Sequence, residues 1–203
     1  MKITVPIICG QITNKSRQKL LYQLEAFGAD EVFVSFFKGM NNLSFDPETL
    51  KVETEFLRRK GYKVAVWLLT LSQPNFYEGS NNALKISING EPTGCACPLH
   101  ESYLNDYCQL IKTVAGTGVK KIVLDDDLRM QSVYSETCCF CDKHMKFYSD
   151  FLGCPVTLEE MREGLLSGEV NQYRTAWTAG CKEALKKFCT AVRHAADEVD
   201  EEI

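Results

Sequence analysis

The chain has 203 residues, 45% of them hydrophobic and 25% charged, with a formal net charge of -4. That is long enough for one domain with a substantial core. The mild acidity gives no clustered Lys/Arg footprint, so neither nucleic acid nor an anionic membrane surface is expected as a partner. Residues 1–9 are too few and too rich in β-branched side chains for a secretory signal, and no apolar run reaches a membrane span, so a cytoplasmic location is expected.

Residues 3–9 read as a first strand, closed by Gly10. Asn14 or Ser16 stands ready to cap a helix carrying Leu20, Leu21, Leu24 and Phe27, and Gly28 ends it. Residues 31–37 read as a second strand. After a Gly/Asn loop, Asp46-Pro47-Glu48 supplies a cap, a proline at the first helical position and an acid in the first turn. Leu50, Phe56 and Leu57 form that helix's apolar stripe, Gly61 stops it, and residues 62–71 give a third strand. Strand and helix alternate at a spacing of roughly 30 residues, the βαβ signature of a parallel sheet.

Residues 72–98 break this rhythm as an insertion rich in Asn, Ser, Pro and Gly. Within it, residues 84–91 alternate like a hairpin arm with an Asn89-Gly90 turn, and long insertions of this kind commonly serve function. A helix over 100–115 leads to a fourth strand. A helix over 140–152 follows, then a capping-box start at Thr157 and Glu160. The last helix covers 172–199, with Ala176, Ala184, Leu185, Phe188 and Val192 inward, and ends in an acidic tail. A closed (β/α)8 barrel needs eight strands. The expected fold is therefore α/β: parallel β/α repeats, TIM-barrel-like, forming a half or partial barrel of about four strands in one domain over 1–203. A small open sheet is the alternative. A half-barrel leaves an edge strand unpaired, which predicts self-association or a missing C-terminal half-barrel.

The organising stretch is residues 121–129, where Ile122-Val123-Leu124 runs into Asp125, Asp126, Asp127 and then Arg129. The apolar run fits a strand buried on both faces, and acids at its C-terminal end stand where parallel α/β folds place their chemistry. Three adjacent carboxylates repel one another, so an active-site or ligand-binding edge explains them better than an acidic turn. Alternation puts Asp125 and Asp127 on one face and Asp126 on the other. Such a pair fits the two carboxyls of glycosidic cleavage, with Arg129 clamping one of them, and Asp126 or Asp127 is the expected acid or sugar-binding carboxylate. Trp67, Phe76, Tyr77 and Tyr134 are the aromatics suited to stacking on sugar rings, although Trp67 also suits the core.

Ten cysteines are many for such a chain. Cys9, Cys108, Cys181 and Cys189 fall in predicted strands and helices, where free Cys acts as a small hydrophobe. The runs Cys95-Ala96-Cys97-Pro98-Leu99-His100 and Cys139-Phe140-Cys141-Asp142-Lys143-His144 both read C-x-C-x-x-H, and each opens a helix. Six candidate ligands exceed the four that zinc takes, and C-x-C is tighter than the common C-x-x-C. Two readings stand: a zinc site drawn from Cys95, Cys97, His100, Cys139, Cys141 and His144, or no cofactor, with the thiols as packing. Gly116-Thr117-Gly118 opens no helix, so nucleotide cofactors lose their usual fingerprint.

The order Asp125-Asp126-Asp127-Leu128-Arg129, a short polar loop, and Cys139-Phe140-Cys141 opening a helix resembles the fourth strand and following loop of bacterial glycoside-hydrolase-like (β/α)8 proteins. Cys97-Pro98 before the preceding helix extends the resemblance, which covers residues 60–153. It implies a carbohydrate-active protein, with carbohydrate as partner and O-glycosyl hydrolysis as chemistry. His144 stands where the pattern has a third Cys. The pattern continues beyond a fourth helix, which implies that the isolated chain is inactive. The alternative is a non-catalytic zinc- or carbohydrate-binding α/β module built on the two C-x-C-x-x-H runs.

Overall fold

The computed structural model describes residues 1–12, 16–36, 46–72, 83–132 and 136–203. In chain order they form β1 (Thr4–Ile8), α1 (Arg17–Ala26), β2 (Glu31–Ser35), α2 (Pro47–Arg59), β3 (Lys63–Leu68), β4 (Leu84–Ile86), β5 (Pro92–Ala96), α3 (Glu101–Ala115), β6 (Ile122–Leu124), α4 (Asp142–Leu152), α5 (Leu158–Leu166) and α6 (Gln172–Asp197). Two compact units result. The first holds Met1–Leu69, Gln109–Asp125 and His194–Ile203; the second holds Thr70–Cys108 and Asp126–Arg193.

The first unit is a parallel sheet in the order β1-β2-β3-β6 with helices between strands, the expected α/β, partial TIM-barrel-like arrangement. Val32 lies opposite Val64 and Val34 opposite Val66, so four β-branched side chains share one face. The helix α2 packs on β2 and β3, and its Leu50 and Leu57 are fully buried. Each such side chain contributes about 1.5–3 kcal/mol. The start of α2 follows its sequence signals. The Asp46 carboxylate accepts from the backbone N–H of Glu48 (3.2 Å) and Thr49 (3.1 Å), and Gly61 closes the helix at φ 90°. The helix α1 buries less than its apolar spacing suggests: Leu24 is its buried residue, and Phe27 at its C-cap is exposed.

At three residues β6 is short, and it lies at the sheet's edge with β3 as its partner. Its apolar run predicts burial on both faces, yet Ile122, Val123 and Leu124 are each half-buried. Among the described residues no strand covers its outer side.

A buried carboxylate ties this sheet together. Glu31 accepts from Lys2 at 2.9 Å and Lys121 at 3.0 Å. Burial alone raises the Glu31 pKa, but the hydrogen bonds from the two lysines outweigh it and hold the carboxyl below its usual range. The stabilisation is therefore complete above the unfolded value of about 4.3 and is lost as pH falls through the lower folded value. The difference in urea midpoint between wild type and Glu31→Gln should be constant near neutrality and shrink on acidification below that pH. A difference that grows in acid would contradict the assignment.

In the second unit, β4 and β5 form the predicted antiparallel hairpin, turning at Asn89-Gly90 with Gly90 at φ 84°. The predicted capping box is also present. The Thr157 hydroxyl accepts from the Glu160 N–H (3.2 Å), and the Glu160 carboxylate accepts from the Thr157 N–H (2.7 Å). Phe140, Tyr148, Met161 and Ala176 form a core between α4, α5 and α6. A methyl group at Gly180 would stand 2.6 Å from Tyr148 Cε1 and 3.2 Å from Phe147 Cδ1. Gly180→Ala is therefore expected to cost about 1–3 kcal/mol through overpacking, read as a lower urea midpoint. Among the described residues, no helix is long and apolar enough to cross a membrane.

Candidate metal centre

Cys97, Cys139, Cys141 and His144 bring their ligand atoms together, all within 4.8 Å of one another and all on buried residues. Cys97 Sγ lies 3.7 Å from Cys141 Sγ and 3.5 Å from His144 Nδ1, and Cys141 Sγ lies 3.4 Å from His144 Nδ1. Sulfur and nitrogen ligands at zinc bond lengths of about 2.3 and 2.0 Å stand about 3.5–3.8 Å apart along the edges of a tetrahedron. The donor set fits zinc in type and number, and the three separations among Cys97, Cys141 and His144 fit its spacing.

Local chemistry explains how these residues meet. Cys141 is the N-cap of α4, in extended conformation at φ -65° and ψ 163°. His144 follows three residues later, one turn along the same helix face. Cys139 precedes Cys141 by two positions in the extended run before the helix, so both thiols share a side. Cys97 lies just past β5, where the chain turns and the His100 N–H donates to the Cys97 carbonyl (3.1 Å).

The two C-x-C-x-x-H runs therefore differ despite equal spacing. The second supplies three members of the group and the first supplies one. Cys95 sits within β5, on the strand side of the turn, and stays outside the group. His100 is also outside; it is half-buried and lines a groove of about 580 Å³ with Leu84, Pro92, Phe140, Asp142 and Leu158.

The surroundings hold the group dry and oriented. The Ile86 N–H points at Cys139 Sγ (3.4 Å), a backbone donor that favours the ionised sulfur. Tyr148 donates its hydroxyl to the Cys139 carbonyl (2.9 Å), and the Trp177 indole donates to the Cys138 carbonyl (2.9 Å). Met130, Cys138 and Ala184 pack around the thiols, with Ile86, Leu99, Cys181 and Leu185 completing the shell. With a metal on Nδ1, the ring proton of His144 resides on Nε2, which is buried and has no hydrogen-bond partner among the described residues.

Without a metal the thiols divide sharply. Hydrogen bonds from Cys139, then Cys97 and His144, pull the Cys141 thiol far below its ordinary range. Burial, and then hydrogen bonding with Cys141 and Cys97, push Cys139 far above it. The hydrogen bond with Cys139 lowers Cys97, but Cys141 and burial outweigh it and leave this thiol pushed up to about 12. A divalent cation reverses this by stabilising all three thiolates at once.

The strand-end acids have three different environments. Asp125, in the first unit, follows β6 and accepts from the Trp67 indole (2.9 Å), which joins two residues singled out in the sequence. Asp126 and Asp127 belong to the second unit; Asp126 is exposed and Asp127 is buried. The Asp127 carboxylate accepts from the backbone N–H groups of Thr70 (2.8 Å) and Ser72 (2.9 Å) and from both of their hydroxyls. The Arg129 side chain is exposed. Phe76, Tyr77 and Tyr134 lie outside the described residues.

Sequence reasoning missed Thr70 and Ser72, which belong to no motif and are marked only by following β3. It also missed Lys85. Apolar residues at 84, 86 and 88 direct Lys85 and Ser87 toward solvent by alternation, yet both are 1% exposed.

No protein-family model matches the chain, and no curated protein matches it in sequence. Among solved structures, the polyextremophilic β-galactosidase from the Antarctic haloarchaeon Halorubrum lacusprofundi matches the whole chain with a TM-score of 0.67 at 12% identity. The chain spans 35% of that protein's length. The likeness is one of fold, α/β and partial TIM-barrel-like.

Proposed function

We propose that this chain is a zinc-braced α/β domain, with Cys97, Cys139, Cys141 and His144 as the four ligands. The observation that carries this is the convergence of four buried donor atoms within 4.8 Å of one another, with those of Cys97, Cys141 and His144 at tetrahedral-edge separations. Four protein ligands leave no open position for water or substrate, so the ion's role is structural. Thiolate and imidazole donors suit zinc, whereas magnesium and calcium want oxygen. Protein purified without added zinc and analysed by plasma mass spectrometry should carry one zinc per chain, and Cys141→Ser should carry none. A wild-type chain that arrives without zinc and takes none up would overturn this reading.

The fold likeness to a β-galactosidase supports a second reading, in which the C-terminal edge of the sheet is the substrate end of a glycoside-hydrolase-like barrel. Here Asp125 and the Trp67 ring, both in the first unit, offer a carboxylate beside an aromatic ring. Titration of the chain with galactosides, followed by NMR, should give shifts at Trp67 that weaken in Asp125→Asn; no shift in the wild type sinks this reading. The open sides of β1 and β6 suit pairing with further strands, either from a second copy or from the other half of a barrel. Sedimentation velocity should then detect species heavier than the 22.9 kDa monomer.

A further inference from the structure

Lys85, on β4, is 1% exposed. Its Nζ donates to two carbonyl oxygens, those of Arg129 (2.7 Å) and Gln131 (3.4 Å), both neutral. Among the described residues no carboxylate forms an ion pair with it. Burial pushes its pKa down, and the thiols of Cys95, Cys138, Cys139 and Cys97 are the groups that push it back up. A cation held in a dry interior by neutral partners alone is strongly unfavourable, and such residues persist when an anion is near.

The metal group supplies that anion. Three thiolates and one neutral imidazole around a divalent ion sum to a single negative charge. The group is buried, and β4 already touches it through the Ile86 N–H, one residue from Lys85. We propose that Lys85 is the counter-ion of the metal–thiolate group and raises its affinity for zinc. This rests on the zinc reading above. With a divalent ion the charges cancel. Its ammonium lies outside the ligand set and acts by positioning charge.

The test is zinc affinity of the full chain, measured by competition with a chromophoric chelator, for wild type, Lys85→Met and Lys85→Gln, with folding followed by circular dichroism. Loss of a residue that supports a metal's ligands typically weakens binding by about 10- to 100-fold, and a loss of at least tenfold is expected in both variants. Zinc affinity within twofold of wild type in either folded variant overturns the proposal. A second measurement covers poor folding: urea midpoints of wild type and Lys85→Met with zinc and after chelation. The counter-ion role predicts a larger loss in the zinc-loaded protein. An equal loss in both states marks Lys85 as mere packing and also overturns the proposal. A wild-type chain that binds no zinc refutes the zinc reading itself, an outcome distinct from zinc-loaded wild type with an unaffected Lys85→Met.

Discussion

Cys139→Ser, or chelation of the wild type, is expected to remove the metal and lower the stability of the second unit by about 4 kcal/mol. The figure follows from chain entropy. Cys97 and Cys141 are 44 positions apart, and a cross-link closing a loop of about 44 residues removes about 4 kcal/mol of disorder from the unfolded chain. Serine at 139 also leaves the Ile86 N–H facing a hydroxyl in place of an ionised sulfur. Urea unfolding followed by Trp177 fluorescence reads this directly, because that indole donates to the Cys138 carbonyl beside the metal group. An unchanged midpoint in the chelated protein would count against a structural ion.

Asp127→Ala is the second large effect, at about 3–5 kcal/mol. Two backbone N–H groups and two hydroxyls converge on this one carboxylate, and a buried donor left unpaired costs about 1–3 kcal/mol. Asp127→Asn should lose nearly as much, since its amide turns a donor toward donors. The measurement is the urea midpoint of each variant against Asp126→Asn, which removes an exposed charge and should stay within about 0.5 kcal/mol of wild type. This contrast also governs how sugar experiments are read. A defect in Asp127→Asn reports a damaged loop, whereas a defect in Asp126→Asn reports a role of the exposed carboxylate itself. If Asp127→Ala proved as stable as wild type, the four-donor cradle would be refuted.

How far the sequence carries depends on the range of the interaction. The start of α2 at Asp46-Pro47-Glu48, the capping box at Thr157 and the Asn89-Gly90 turn are decided within four residues, and each is found where expected. The parallel sheet was legible for a similar reason, because its period repeats. Cys139, Cys141 and His144 could be grouped from spacing alone, since a helix N-cap and its third residue share a face. Nothing local distinguishes Cys97 from Cys95. The choice depends on where β5 ends and the chain turns, a matter of pairing with β4. The burial of Lys85 and of Asp127 is set by partners far along the chain. Alternation sends Lys85 to solvent, but a thiol cluster lies on that side of the hairpin. Asp127 carries the residue type of a catalytic acid, while donors at Thr70 and Ser72, 57 and 55 positions away, occupy it.

If the four residues hold zinc as proposed, their order along the chain has a temporal consequence. Cys139, Cys141 and His144 lie within six residues, so a metal gripped by them pays almost no loop-closure entropy. Cys97 is made first and waits through more than 40 further residues before its partners emerge. During synthesis the donor set is complete once His144 clears the ribosome, before any of α5 or α6 exists. The β4–β5 hairpin can then be pinned to the start of α4 while α6, whose Cys181, Ala184 and Leu185 complete the packing around the thiols, is still to come.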